Sequence, residues 1–398
     1  MGSMHVAIIA DDLTGAADTG VQLARAGYRT AVAFRDAPVP PAENLDAVVL
    51  DTDSRAMPAG FAAKRVVEAG HTVRDACLVY KKLDSTLRGP VAAELAATLE
   101  ATGRDRAVVA PAFPAAGRTT VDGVQLVRGL PVHETEARND PRTPVREGHI
   151  PTLLATAFPS VVSLSAKDLA DLDVVRRALE SSVCVVADAA RDEDLEALAR
   201  AVPDPSEVLW AGSAGLAIAL GGVYPGPHTG TMPPVQARKV LVVVGSLSEV
   251  ARRQLRSLAE YGCAAVTVPA DRSGAEVEVV EMAREALLAG ACAALCSAED
   301  RKASDAGVVV GALAEVAGSL AEDGLFDALV LTGGETAVGV ARRLGAVGIR
   351  LESEVEPGIP VGTLLGPYPY RVLTKAGAFG EPGTLVGAVQ TLLDGRGG

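Results

Sequence analysis

The sequence predicts an α/β protein made of two domains with largely parallel sheets. Three observations carry that expectation: short apolar runs ending in polar or Gly-rich turns, helical patterns following those turns, and a central stretch where the alternation breaks and restarts. The chain has 398 residues, beyond the roughly 100 to 200 usual for one domain.

The strands follow in order. His5 to Ala10, Asp46 to Leu50, Cys77 to Tyr80 and Ala107 to Ala110 are short, rich in branched residues and apolar throughout, as expected of strands buried on both faces. Val161 to Leu164, Val183 to Ala187 and Val208 to Trp210 continue the series, alternating with helical stretches at Asp168 to Glu180 and Asp192 to Ala201. Gly and Pro then crowd residues 221–237, where little can pack as helix or strand. This gives a first domain over 4–220, a linker over 221–237 and a second domain over 238–398. Strands restart at Lys239 to Val244, then Ala264 to Val268, Ala293 to Cys296, Ala328 to Leu331 and Arg371 to Thr374.

Apolar residues make up 48% and charged residues 22%, a globular composition. With 37 Lys and Arg against 50 Asp and Glu, the formal charge is −13, which gives no general attraction to nucleic acid or anionic membrane. No apolar run reaches the ~18 to 20 residues of a membrane span. Met1 to Ser3 read as a leader added before Met4, with no export signal behind it, so a cytoplasmic enzyme is expected. The five Cys lie in or beside apolar runs without paired ligand spacing and read as buried reduced thiols.

Chemistry-bearing residues cluster where strands end, the place at which open α/β sheets bind ligands. Asp11-Asp12-Leu13-Thr14-Gly15-Ala16 follows the first strand. A helix starting near Thr14 or Gly15 would set Asp12 at its positive end, although either Asp also suits a plain N-cap. Lys81 to Pro90 gathers cations, Asp84 and the hydroxyls of Ser85 and Thr86 within ten residues. Arg88 and Lys82 could hold an acidic substrate there while Asp84 contacts its hydroxyls. Pro111 to Thr120 leaves another strand as a long loop that runs through Asp122-Gly123 toward Asp140, and Arg118 within it is a candidate for holding substrate.

In the second half no G-x-x-x-x-G-K-[ST] or G-x-G-x-x-G pattern occurs, which weakens a Walker ATPase and a dinucleotide dehydrogenase. Phosphates would instead meet the turns Gly245-Ser246-Leu247-Ser248, Thr332-Gly333-Gly334-Glu335-Thr336 and Lys375-Ala376-Gly377-Ala378-Phe379-Gly380. Glu335 either favours its helix dipole or helps position Mg²⁺, and Lys375 would counter phosphate charge.

Taken in order, these motifs resemble the four-carbon acid sugar kinases, across essentially the whole chain. The resemblance implies a sugar-acid-binding N-terminal domain, a nucleotide-binding C-terminal domain and an active site in the cleft between them. It further implies ATP-dependent phosphorylation of threonate, erythronate or 3-oxo-tetronate. By the same resemblance Asp11, Asp12, Lys82, Asp84, Ser85 and Arg88 are substrate-side residues, while Ser246, Gly333, Gly334, Glu335, Thr336 and Gly377 are ATP contacts. Asp12 and Asp84 are the candidates for accepting the hydroxyl proton; metal ligands are unassigned, and a homodimer is admitted. Two rivals stay open at this point: a sugar-acid isomerase or oxidoreductase without ATP, and a sugar-acid sensor without turnover.

Overall fold

The computed structural model describes residues 5–40, 44–229, 236–269, 276–298 and 306–395. The chain divides into two compact units, Met1–Arg35 with Pro41–Thr229, and Asp36–Pro40 with Gly230–Gly398.

Unit 1 runs β1 (Val6–Ala10), α1 (Leu13–Arg25), β2 (Thr30–Ala33), β3 (Ala47–Asp51), α2 (Ala59–Val73), β4 (Leu78–Lys82), α3 (Val91–Thr102) and β5 (Arg106–Ala110). A small antiparallel sheet follows, made of β6 (Arg118–Val121), β7 (Val124–Val127) and β8 (Leu130–Pro131). The unit closes with α4 (Ile150–Leu154), β9 (Val161–Leu164), α5 (Leu172–Ser181), β10 (Cys184–Ala187), α6 (Asp192–Ala201), β11 (Val208–Gly212) and α7 (Ala214–Val223). Its main sheet has the order β2-β3-β1-β4-β11-β5-β10-β9, with every pair parallel. β11, last in sequence, lies between β4 and β5.

Helices cover both faces, so β1 and β3 are buried at every position, with Ile8, Ile9, Val48 and Val49 at the centre. Each such branched side chain contributes roughly 1.5–3 kcal/mol when fully buried, and the continuous apolar runs of the sequence reflect that requirement.

Unit 2 runs β12 (Val240–Val244), α8 (Glu249–Glu260), β13 (Ala264–Val268), α9 (Glu276–Ala289), β14 (Cys292–Ser297), α10 (Ala306–Glu322), β15 (Ala328–Thr332) and α11 (Gly334–Arg343). It ends with β16 (Gly348–Glu354), β17 (Pro360–Leu365), β18 (Arg371–Lys375) and α12 (Thr384–Asp394). The strand order is β13-β14-β12-β15-β18-β17-β16. Only β17 reverses direction among these described strands, antiparallel to both β18 and β16. No described helix is long and apolar enough to cross a membrane.

The structure departs from the sequence reading in several places. The stretch after Pro111, expected as a loop, forms the β6–β8 sheet. β2, β16 and β17 were not anticipated. The helix expected from Asp168 begins instead at Leu172, because the Asp171 carboxylate caps it by accepting from the backbone N–H of Asp173 and Val174. Gly221 to Val223, assigned to the linker on sequence, complete α7. Gly221 is where that helix meets the end of α1, since a Cβ there would lie 2.8 Å from that of Ala26. Residues 230–235 of the linker lie outside the described residues. Cys77 is exposed, correcting the expectation that all five thiols are buried; the other four are buried.

Candidate functional site

In unit 1 three adjacent strands, β3, β1 and β4, deliver their carboxyl ends to one edge of the sheet. Beyond β1, Asp12 caps α1 by accepting from Gly15 N at 2.9 Å. Beyond β3, the run Asp51 to Arg55 brings in a residue that the sequence reading missed. Arg55 donates to Asp11 through Nε (2.7 Å) and Nη2 (2.9 Å), and to Asp12 through Nη1 and Nη2 (both 2.6 Å). Burial pushes the Asp11 carboxyl up, but Arg55, with Lys81 and Lys82 behind it, outweighs that effect and holds it below the usual carboxylate range.

From β4 come Lys82 and the turn that follows. Lys82 is buried, and its Nζ donates to Leu83 O at 3.0 Å, one bond for an ammonium with three protons. Gly15 marks the point where these groups converge. A Cβ there would stand 2.6 Å from Asp12 Oδ1, 2.9 Å from Lys82 Nζ and 3.6 Å from Arg55 Nη2. Asp84 accepts from Arg88 Nε at 2.8 Å, Arg88 Nη2 at 3.1 Å, Arg88 N at 3.2 Å and the Thr86 hydroxyl. Burial opposes its ionisation, yet Arg55 and Arg88 drive its pKa far down.

Two further groups complete this edge. Asp51 accepts from Asp53 N at 3.0 Å, and burial, reinforced by the charges of Asp12, Asp53 and Asp11, pushes its carboxyl up to about 7. Beneath it the Lys81 ammonium pairs with Glu94 at 2.8 Å, both side chains almost fully buried, and Ser54 Oγ donates to the other Glu94 oxygen at 2.7 Å. Glu94 on α3 therefore ties the Arg55 loop to β4. Ser85 and Arg118 join less directly. Gln125 on β7 donates to Ser85 O at 2.7 Å and to Pro111 O at 3.4 Å. Arg118, on β6, donates through Nη1 to Ala116 O, while its buried Nε has no partner.

In unit 2 the neighbouring strands β12, β15 and β18 likewise end together. Their turns interlock through glycines. A Cβ on Gly245 would lie 2.1 Å from Thr336 Oγ1, and one on Gly377 would lie 2.3 Å from Ser246 Oγ. Ser248 caps α8 by accepting from Ala251 N and donates to Gly377 O at 2.7 Å, and Gly333 N donates to Lys375 O at 2.9 Å. Gly333, at φ 99, takes a conformation open to glycine and starts α11. The first amides of that helix have no carbonyl within it to bond, the arrangement that receives phosphate oxygens.

Lys375, 2% exposed, donates to Ala376 O at 2.8 Å, and burial pulls its pKa down to about 8. The expected residues Ser246, Gly333, Gly334, Thr336, Lys375 and Gly377 are thus brought to one place. Glu335 stands exposed on the first turn of α11.

Comparison with known proteins matches these two halves separately. Residues 6–220 match a sugar-binding N-terminal domain and residues 241–385 a nucleotide-binding C-terminal domain. A D-threonate kinase of Salmonella typhimurium is 38% identical, over 97% of this chain and 98% of its own. A D-erythronate kinase of Heliobacterium modesticaldum is 32% identical, over 98% and 97%. A crystal structure of a Bordetella bronchiseptica protein, a domain-swapped dimer with bound citrate, is 36% identical over 98% of each chain, with a TM-score of 0.51.

Proposed function

The chain belongs to the four-carbon acid sugar kinase family, and from that premise we propose that it phosphorylates a hydroxyl of D-threonate, or of a closely related four-carbon sugar acid, at the expense of ATP. As a member of that family it is a phosphotransferase with an alcohol group as acceptor. One observation carries the reading. Strand-end loops of unit 1 converge donors and carboxylates suited to a polyhydroxy acid, while those of unit 2 interlock glycine turns around a helix start suited to phosphate. The preference for D-threonate follows the relative with 38% identity.

Lys82 keeps two ammonium protons uncommitted, and the Arg118 Nε–H is unpaired. These donors bind the acid's carboxylate. Asp12 and Asp84 were the two candidates for the proton acceptor, and exposure separates them. The Asp12 side chain is 28% exposed and is oriented by Arg55 and Gly15 N, so it takes the proton of the attacking hydroxyl at a carboxylate oxygen. Asp84, 11% exposed and pinned by Arg88 and Thr86, holds the loop and the substrate hydroxyls instead. Phosphoryl transfer asks mainly for positioning and charge stabilisation, which such a constellation supplies.

The fit of the unit 2 turns to a polyphosphate rests on Gly333, whose φ of 99 opens the start of α11, and on Gly245 and Gly377, which let Thr336 and Ser246 pack close between the turns. When bound, ATP with Mg²⁺ supplies the transferable phosphoryl group. Ser246, the amides of Gly334 to Thr336, Gly377 and Lys375 would hold its phosphates. Among the described residues no cluster of three His, Cys, Asp or Glu could hold a metal alone. A magnesium ion would therefore ride on phosphate oxygens, with Glu335 as the protein's contribution. Use of ATP as substrate supports a cytoplasmic enzyme, and the domain-swapped dimer of the Bordetella relative supports a homodimer.

The test is ADP release from MgATP with a panel of four-carbon acids. D-Threonate should give acid-dependent ADP, with D-erythronate slower. Acid binding without ADP would favour the sensor, and conversion of the acid without ATP would favour an isomerase or oxidoreductase; either result overturns the kinase reading.

A further inference from the structure

We propose that Phe379 and Leu247 form the subsite for the purine base of the nucleotide, a role that rests on the kinase reading and extends it to a part of the ligand that does not react. Phe379 lies on the Lys375 to Gly380 turn, two residues beyond Gly377, and is 42% exposed. A lone exposed aromatic calls for no explanation, but this one is built in. Its carbonyl accepts from Gln254 Nε2 at 3.0 Å, and that amide also holds Glu381 O at 2.9 Å from a fully buried position on α8. Gly380, at φ 90, follows immediately and lets the backbone turn away.

The ring itself is backed by Gly358, at φ 83. A Cβ there would stand 3.3 Å from ring Cζ and 3.4 Å from Cε1. The tip of the ring therefore lies beside bare backbone, while the residue as a whole stays open to solvent. Leu247, 36% exposed, is the residue before Ser248, whose hydroxyl donates to Gly377 O at 2.7 Å. Two apolar side chains thus flank the joint between the same turns that hold phosphate. A purine has an apolar π-face, and stacking it on a ring already fixed in place costs little conformational entropy.

The experiment compares ATP with inorganic tripolyphosphate, which offers phosphates and no base, by calorimetric titration and tryptophan fluorescence. Phe379→Ala should weaken ATP binding roughly 10- to 100-fold, the range for loss of one stacked base, and leave tripolyphosphate binding unchanged. Phe379→Trp should restore ATP affinity, and its emission should respond to ATP but not to tripolyphosphate. Equal weakening of both ligands in Phe379→Ala would show that the residue acts through the loop and overturn the subsite. Undiminished ATP affinity would overturn it too. Wild-type protein that bound neither ligand would defeat the nucleotide reading itself, a result distinct from either of these.

Discussion

Replacing Arg55 with Met tests the electrostatic centre of unit 1. The substitution keeps a long side chain but removes four charge-assisted hydrogen bonds to Asp11 and Asp12. Asp11, with a side chain 5% exposed, is left as an uncompensated buried carboxylate, whereas Asp12, at 28%, is partly rescued by water. Breaking a buried pair from one side costs about 3–5 kcal/mol. For a unit of this size that lowers the melting temperature by roughly 6–20 °C. The pH dependence has a definite sign. In the native protein the depressed Asp11 pKa contributes stability above its unfolded value of 3.8, and that stability is lost as pH falls. Without Arg55 the buried carboxyl prefers its proton, so the variant loses stability as pH rises from that value. The deficit should be greatest near pH 7 and shrink toward pH 4.5. Urea unfolding followed by circular dichroism at the two pH values measures it, and Asp11→Asn added to Arg55→Met should recover part of the loss. A variant with the native midpoint at pH 7, or a deficit independent of pH, would refute the reasoning.

Two further outcomes are expected. Asp84→Asn should raise KM for the acid roughly 10- to 100-fold with kcat within a few-fold of wild type; a kcat loss of about 100-fold or more at unchanged KM, the scale of a lost general base, would move the proton-accepting role from Asp12 to Asp84. Lys375, depressed from 10.5 to about 8, costs the fold stability as pH falls from 10.5 toward 8, where the unfolded chain takes up a proton that the buried amine does not, and phosphate charge beside it should restore the proton. Nucleotide binding at pH 8.5 should therefore take up a proton, read by calorimetry in buffers of different ionisation enthalpy. Lys375→Met should abolish the uptake, and none in the wild type would contradict the placement of Lys375.

Much of this architecture was legible because parallel strands covered on both faces must be apolar throughout, and the polar residues that interrupt them fall where ligands bind. Asp11 to Gly15, Lys82 to Arg88 and Gly333 to Thr336 all stand at such junctions. Arg55 stands at one too, after Asp51-Thr52-Asp53-Ser54, but its meaning depends on carboxylates 43 and 44 positions away. Only the pairing of β1 with β3 brings them together, and no periodicity encodes that. The raised Asp51 carboxyl was hidden for the same reason, since burial and neighbouring charge are tertiary facts. The β6–β8 sheet did leave a local signal. Asp122-Gly123 and Arg128-Gly129 have positive φ at both residues, 49 and 74, then 51 and 84, and Asp-Gly between short apolar runs is a hairpin turn. β16 and β17 alternate only partly between buried and half-buried positions, which blurs their period of two.

The seat of β11 between β4 and β5 sets a timetable for the molecule's birth. A nascent chain that has reached residue 200 already holds Asp11, Arg55, Lys82 and Asp84, yet the β3-β1-β4 and β5-β10-β9 halves lack the strand that joins them. Each presents an open edge of unpaired amides and carbonyls until residues 208–212 emerge. At synthesis rates of about 5–20 residues per second, that exposure lasts several seconds after β5 is made. Truncation just before Val208 should therefore give an aggregating fragment rather than a small acid-binding domain, and the interval makes this half of the protein a natural client for chaperones at the ribosome.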